Sequence, residues 1–325
     1  PVERRGPVLW LGLGLCLAPL LLLRGAGLLG LDPLASVGVS YYCLQAVAYL
    51  LDVDQGVCAA EGHLGRFALH LAFFPKLIQG PIERAPRLLP QLAGLSRPTL
   101  ADFQAGAQLF LWGLFQKVVV ADRLAPFVDA AWSPERPQAG LSVLAGTYFF
   151  AAQVYFDFAG YTDMALGLGR LFGLRLTQNF NSPYLAGSIA EFWRRWHISL
   201  STWLLDYLFR PLQLGLRDWR TWGTPVALVV TFLVSGLWHG TGTGFLAWGL
   251  LHGLYLGSSV LTARWRKSLQ RRLGLAGSPW LRPLQVAVTF HLVCLSWVFF
   301  RAPSAGEALA ALQRLALGLP ASLAA

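Results

Sequence analysis

The sequence predicts an all-α, polytopic integral membrane protein, and three observations lead there. Only 13% of its 325 residues are charged, roughly half the share of ~25% found in soluble proteins, too few to cover a water-soluble surface of normal size. Hydrophobic residues make up 55% of the chain and the mean hydropathy is +0.51. These apolar residues come in long blocks with neither period-2 alternation nor an amphipathic stripe, the pattern of helices surrounded by lipid or by other helices.

A hydrocarbon core of about 30 Å takes roughly 20 helical residues to cross. Candidate membrane segments run over 7–23, 34–51, 64–79, 103–120, 139–157, 160–175, 198–214, 223–238, 243–261 and 283–300. The first reads as a spanning helix rather than a signal peptide, because no small-residue cleavage site follows it. Several of the others are too short to span. Proline and glycine punctuate them at Pro75, Gly80, Pro81, Pro183, Pro211 and from Gly240 to Gly244, which predicts re-entrant or broken helices around a cavity enclosed by protein. No internal repeat is visible, so an inverted-repeat transporter is not supported. The whole of 1–325 reads as a single membrane-embedded domain.

The formal charge of +10 is concentrated in short connecting segments, as expected where Lys and Arg hold loops on the cytoplasmic side. Nucleic acid is not an expected partner, because no basic stripe lies on a soluble domain. The stretch "RWRKSLQRR" carries Arg264, Arg266, Lys267, Arg271 and Arg272 with no acid, which assigns it to the cytoplasm. Arg210, Arg217 and Arg220 point weakly the same way. The segment 223–261 is then a hairpin. Its first leg, 223–238, is about 24 Å long as a helix, so the turn holding His239 falls within the membrane depth, reachable by a tunnel.

The four cysteines, Cys16, Cys43, Cys58 and Cys294, have no metal-type spacing, so neither a disulfide framework nor a zinc site is indicated. A phosphate-binding loop and a G-x-S-x-G elbow are both missing from the sequence, which disfavours ATP-driven transport and serine hydrolysis. Ionisable groups at membrane depth mark functional pathways by default. His239, in "SGLWHGTGTG", is such a group, although a satisfied structural histidine fits the position too. The glycines after it let backbone or substrate approach closely, or simply make a hairpin turn.

Two further constellations stand out. In "SIAEFWRRWHISLSTWLLDYLFRP", Ser188 and Glu191 have capping-box spacing, so Glu191 is either a helix-start residue or a catalytic one. Trp193, His197, Leu200 and Leu204 recur at helical spacing and place the His197 imidazole on one face with an aromatic. Arg194 and Arg195 are close enough to Glu191 for salt bridges. In "YFDFAGYTDMALGLGRLFG", Asp157 and Tyr161 share a helix face, and a carboxylate paired with a membrane-facing Arg is the plain reading of Asp157. Ala165, Gly169 and Gly173 have small-xxx-small spacing and predict close helix packing. From the residues alone, the result is a membrane-embedded pocket with two histidines, compatible with acid–base transfer chemistry.

These motifs, together with "NFNSPYLAGSIAEFWRRWHISLSTWLLDYLFRPL", "SGLWHGTGTGFLAWGLLHGLYL", "VGVSYYCLQAVAYLLDV", "FFPKLIQGPIER" and "WVFFRAPS", closely resemble the membrane-bound O-acyltransferase family, in particular its bacterial alginate O-acetyltransferase branch. The likeness runs from about residue 36 to 304. It implies a multi-helix fold around a tunnel joining the two faces of the bilayer, with His239 matching the catalytic histidine and His197 the second characteristic one. Asp157, Tyr161, Asn181, Tyr184, Glu191, Trp193, Arg194 and Trp238 are the expected substrate-binding residues.

The resemblance further implies acetyl-CoA or another acyl thioester as co-substrate, no bound cofactor or metal, a hydroxyl acceptor on an extracytoplasmic polysaccharide, and an extracytoplasmic acyltransferase partner. The expected location is a bacterial inner membrane. Two motifs depart from the family pattern: "QLGLRDWR" stands where a Gly-Gly-Asn-Arg type turn is usual, and Thr241, Gly242 and Thr243 stand where Ala-Asn-Trp is common. These departures bear on acceptor or partner specificity rather than on the chemistry. The chain opens on Pro1 and is shorter at both ends than typical members, so outer helices are expected to be missing. The rival expectation is a transporter or flippase subunit with a histidine proton relay.

Overall fold

The computed structural model describes residues 5–28, 38–133 and 140–324. The expected segments 34–51 and 139–157 therefore begin outside the described residues. All regular structure among the described residues is helical. In chain order the helices are α1 (Arg5–Leu28), α2 (Val39–Asp54), α3 (Leu64–Ala72), α4 (Ala85–Ala93), α5 (Leu100–Phe115), α6 (Asp122–Ala131), α7 (Leu141–Leu171) and α8 (Ile189–Arg195). They continue with α9 (Ile198–Leu204), α10 (Arg210–Gly215), α11 (Gly223–His239), α12 (Thr243–Leu261), α13 (Ala263–Arg272), α14 (Leu281–Arg301) and α15 (Ala305–Ala324). Among the described residues, three stretches are long and apolar enough to cross a bilayer: Arg217–His239, Thr243–Leu261 and Leu281–Arg301.

The segment boundaries differ from expectation where proline or a special turn intervenes. The expected segments 139–157 and 160–175 are one 31-residue helix, α7. Gly173 ends it in a left-handed conformation (φ 75°), with Leu174 N–H reaching the Gly169 carbonyl at 2.8 Å, the bond of a Schellman cap. The segment 64–79 breaks after nine residues at Phe73 and continues as a single tight turn, Phe74–Lys76, because Pro75 lacks the N–H that would extend α3. The segment 198–214 is α9, a π-helical turn over Leu205–Phe209, and α10.

Contacts divide the chain into two units, Pro1–Val119 with Asp157–Asn179, and Val120–Phe156 with Phe180–Ala325. In the first, α5 starts at a full capping box between Thr99 and Asp102 and crosses the second half of α7 at paired glycines. A Cβ on Gly113 would lie 2.4 Å from the Gly160 carbonyl oxygen, and one on Gly167 would lie 2.6 Å from that of Gly106. The crossing with α5 is thus made at Gly160 and Gly167, outside the expected set of Ala165, Gly169 and Gly173, of which Ala165 is buried and Gly173 lies against the Ser96 carbonyl. Spacing marks a smooth face, but the partner helix decides which part of it is used. This unit also buries Lys76 and Glu83 completely. Lys76 donates to the Gln45 side chain and the His70 carbonyl, and Glu83 accepts from the Thr177 N–H and hydroxyl, as burial of charge requires.

In the second unit α11 and α12 form the expected antiparallel hairpin. Gly236 faces the Phe245 carbonyl, Gly249 the Phe232 carbonyl and Gly253 the Val229 backbone, each closer than a Cβ would permit. Backbones approaching this closely gain dispersion contact along their whole length, the main attraction left where lipid removes any hydrophobic drive. At 17 residues, α11 is about 26 Å long, and α14 packs on the other side of α12.

Candidate active site

The site in the second unit is built around the end of α11 and the break between α8 and α9. Ser188 caps α8, its hydroxyl accepting the Glu191 N–H at 3.1 Å. The Glu191 carboxylate returns not to Ser188, as a full capping box would have it, but to the Gly187 N–H at 2.9 Å. It also takes a bidentate bond from Arg282, both contacts 2.8 Å, and a 2.8 Å bridge from Arg195. The Arg282 guanidinium holds the Glu191 carboxyl down to about 2.

The single helical face expected over Trp193, His197, Leu200 and Leu204 does not form. Trp196 is extended and His197 adopts a left-handed conformation (φ 43°, ψ 54°), after which the helix restarts. Such a conformation costs a non-glycine residue roughly 1–2 kcal/mol, and it persists where surroundings over-determine it. Here they are the Asn181 N–H and carbonyl, which bond Arg195, and the Ser201 hydroxyl, which donates to the Trp196 carbonyl. His197 is consequently buried, at 1% exposure.

His239 is the last residue of α11 and is half-buried. Three aromatic rings surround it edge-on: Trp238, Trp248 and Phe300, with centroids 4.8, 5.1 and 5.2 Å away. Trp238 also lies 6.3 Å from the His197 ring, so one indole touches both expected histidines. The glycines that follow do not open space for substrate. A Cβ on Gly240 would fall 2.2 Å from the Phe245 ring, and one on Gly244 2.5 Å from the Phe299 carbonyl oxygen. Of the two readings of these glycines, the tightly packed turn is the one found. Thr243, where the family pattern has another residue, accepts the Ala305 N–H at 3.0 Å and ties α12 to α15.

A third imidazole, which the sequence reading missed, is His252 on α12, with 0% exposure. Trp193 Nε1–H donates to its Nδ1 at 3.2 Å, and its Nε2 lies 2.9 Å from Ser296 Oγ. The Ser296 hydroxyl also sits 2.7 Å from the Val293 carbonyl. An indole N–H can only donate, and a hydroxyl has one proton. Given to Val293, that proton leaves Ser296 Oγ as acceptor, so the His252 ring carries its proton on Nε2.

The remaining expected residues divide by unit. In the first, Asp157 is ion-paired as its plain reading has it, but with Lys117, at 2.6 Å, in place of the expected arginine, and Tyr161 hydrogen-bonds to the backbone of Ile78 and Gln79. In the second, Asn181 is exposed and fastened through its backbone to Arg195. The Tyr184 hydroxyl donates to the Ala151 carbonyl at 2.6 Å and accepts from Trp297 Nε1 at 3.2 Å. Arg194 is exposed on the wall of a cavity of about 570 Å³ between α8, α9, α11 and α12, shared with Trp193, Ile198, Thr231 and Phe232. Neither His197 nor His239 lines that cavity. No cluster of three potential metal ligands occurs among the described residues.

The model of the membrane-bound O-acyltransferase family matches residues 63–274. The probable alginate O-acetylase of Azotobacter vinelandii is 42% identical over 270 residues, covering 83% of this chain and 51% of that protein. The corresponding protein of Pseudomonas aeruginosa is 41% identical, with 83% and 49% covered. The peptidoglycan O-acetyltransferase of Helicobacter pylori is 34% identical over 307 residues, with 85% and 56% covered. The chain spans about half the length of these relatives. Spanning helices, a glycine-tight hairpin with His239 at its turn and a family match over residues 63–274 agree: the chain belongs to the membrane-bound O-acyltransferase family.

Proposed function

We propose that the chain carries the catalytic part of an O-acyltransferase, a single membrane-embedded domain in a bacterial inner membrane with the basic helix α13 on the cytoplasmic side. It moves an acetyl or short acyl group from an acyl-CoA-type thioester to a hydroxyl of an extracytoplasmic polysaccharide, directly or through an acyltransferase partner outside the membrane. The observation that carries this reading is His239 at the end of α11, ringed by aromatic edges and joined to His197 through Trp238. The names of the relatives, an alginate O-acetylase and a peptidoglycan O-acetyltransferase, support acyl transfer to a glycan over the transporter reading.

His239, as a neutral imidazole, takes the proton of the acceptor hydroxyl while its oxygen attacks the thioester carbonyl. The tetrahedral intermediate collapses, the C–S bond breaks, and the same proton passes to the departing thiolate. His197, which neighbours the same indole, orients the thioester carbonyl. The base supplies typically 10²- to 10⁴-fold, and alignment of donor and acceptor supplies the rest. Trp238 lies beside both histidines and Arg194 and Trp193 line the neighbouring cavity; these three are assigned to substrate contact, and Glu191, Tyr184 and Asn181 to holding the surrounding elements in place. Asp157 and Tyr161, engaged within the first unit, are given no step.

The test is His239→Gln, an amide that hydrogen-bonds but does not accept a proton at neutral pH. Expected is a loss of transfer from labelled acetyl-CoA of 100-fold or more, at unchanged membrane abundance. Wild-type transfer in this variant removes the base; no transfer by the wild type removes the donor.

A further inference from the structure

The surface around α13 is not used by this mechanism. The helix carries Arg264, Arg266, Lys267, Arg271 and Arg272 and no acid. At 100° per residue its side chains sort into three directions. Arg264, Lys267 and Arg271 form a cationic stripe. Arg266, Leu269, Gln270 and Leu273 face a cavity of about 510 Å³ between α13, the end of α12 and the start of α14. Trp265 lies on the remaining flank and is 63% exposed.

Leu269, Leu273, Leu284 and Val288 give the cavity an apolar wall that is itself exposed, and Arg266, Ser259 and Thr262 add polar groups to the lining. No carboxylate belongs to its lining. The carboxylate nearest in sequence to the lining residue Ile189, Glu191, is already held by Arg282 and Arg195. Arg266 spends one N–H on the Ser259 carbonyl at 2.6 Å, which fixes the guanidinium at the rim with further donors to offer.

We propose that this cavity is a binding site for an anionic phospholipid of the surrounding leaflet, with an acyl chain among the leucines and the phosphate at Arg266 in the field of Lys267 and Arg271. Charge complementarity selects the headgroup, and the adjoining apolar cavity favours a lipid over an acidic protein, which would need the stripe but not the hollow. A volume of this size falls within the ~300–1,000 Å³ range of ligand sites. Trp265 at the flank is the kind of residue that anchors a helix at the headgroup level. The inference is independent of the proposed acyl transfer.

The test uses the purified full chain in detergent and native mass spectrometry with added phosphatidylglycerol, phosphatidylcholine or inorganic phosphate. Phosphatidylglycerol binds preferentially, and Lys267→Gln and Arg271→Gln each weaken it about fivefold, as expected for a cation near a lipid surface, without changing phosphatidylcholine. Leu284→Trp, which fills the hollow, removes the bound lipid while both cations remain. Equal binding of the two lipids, competition by inorganic phosphate at similar concentration, or undiminished lipid in Leu284→Trp each overturns the proposal. So does binding that ignores both charge variants, the result expected of a surface made for an acidic protein.

Discussion

His252 and His239 lie on the two legs of one hairpin and share a neighbour, Trp248, whose ring is 5.1 Å from each. Their surroundings are opposite. His252 is wholly enclosed, its two nitrogens committed to Trp193 and Ser296, and it joins α8, α12 and α14 as a strut. His239 ends its helix, half-buried among the edges of aromatic rings. The difference teaches that burial of an imidazole in a membrane protein is not by itself a sign of chemistry. Saturated hydrogen bonding makes it a structural part, while placement at a helix end beside a second histidine is what the proposed mechanism draws on.

The contrast is broken most directly at these two residues. His239→Gln is expected to remove transfer and spare the fold. His252→Ala does the reverse: it leaves the Trp193 N–H and the Ser296 hydroxyl without their partner and opens a cavity, which destabilises the protein by about 3 kcal/mol. The measurement is thermal unfolding in detergent beside turnover per folded molecule. A His252→Ala protein that melts like the wild type yet transfers nothing would make His252 the chemical residue and dissolve the comparison.

A smaller effect is expected at Gly240. A Cβ there pushes the Phe245 ring, which lies 5.0 Å from Phe300, itself a neighbour of His239. Gly240→Ala should lower turnover several-fold, on the order of 1 kcal/mol in the barrier, with little change in unfolding. Unchanged turnover would show that the aromatic collar of His239 has slack.

The smallest effect belongs to Glu191, far along the strut side. Its folded pKa lies below the ordinary carboxylate value, so its stabilising contribution is present above about pH 4.3 and disappears as pH falls through about 2. Glu191→Gln should lower stability by about 1 kcal/mol, the upper end for a partly exposed pair. The gap to wild type should stay constant from pH 5 to 8 and narrow below pH 4. A gap that widens on acidification would assign the effect to another group.

Much of the site was legible because its signals are local. Ser188 caps α8 as its spacing foretells, the α11–α12 hairpin carries His239 at its turn, and the low charge with block hydropathy fixes the membrane class. Long-range pairings were not legible. The partners of His252 are 59 and 44 residues away, and "WGLLHGLYL" reads as an ordinary apolar helix with one polar interruption. The α5–α7 crossing uses glycines seven apart on both helices, which neither helix advertises alone.

By itself, then, the sequence determined the solvent of this protein, the order of its helices, the starts and turns set by capping and proline, and the motifs that mark its family. The tertiary structure decided that the helix breaks at His197, that α7 runs unbroken, that the glycines after His239 are filled by Phe245 and Phe299, and that His252 is saturated. The reason is physical. Caps, prolines and hydropathy act over a few residues and are written next to one another, whereas a left-handed histidine, a glycine contact or a fixed tautomer is imposed by atoms that only the folded chain brings within 3 or 4 Å.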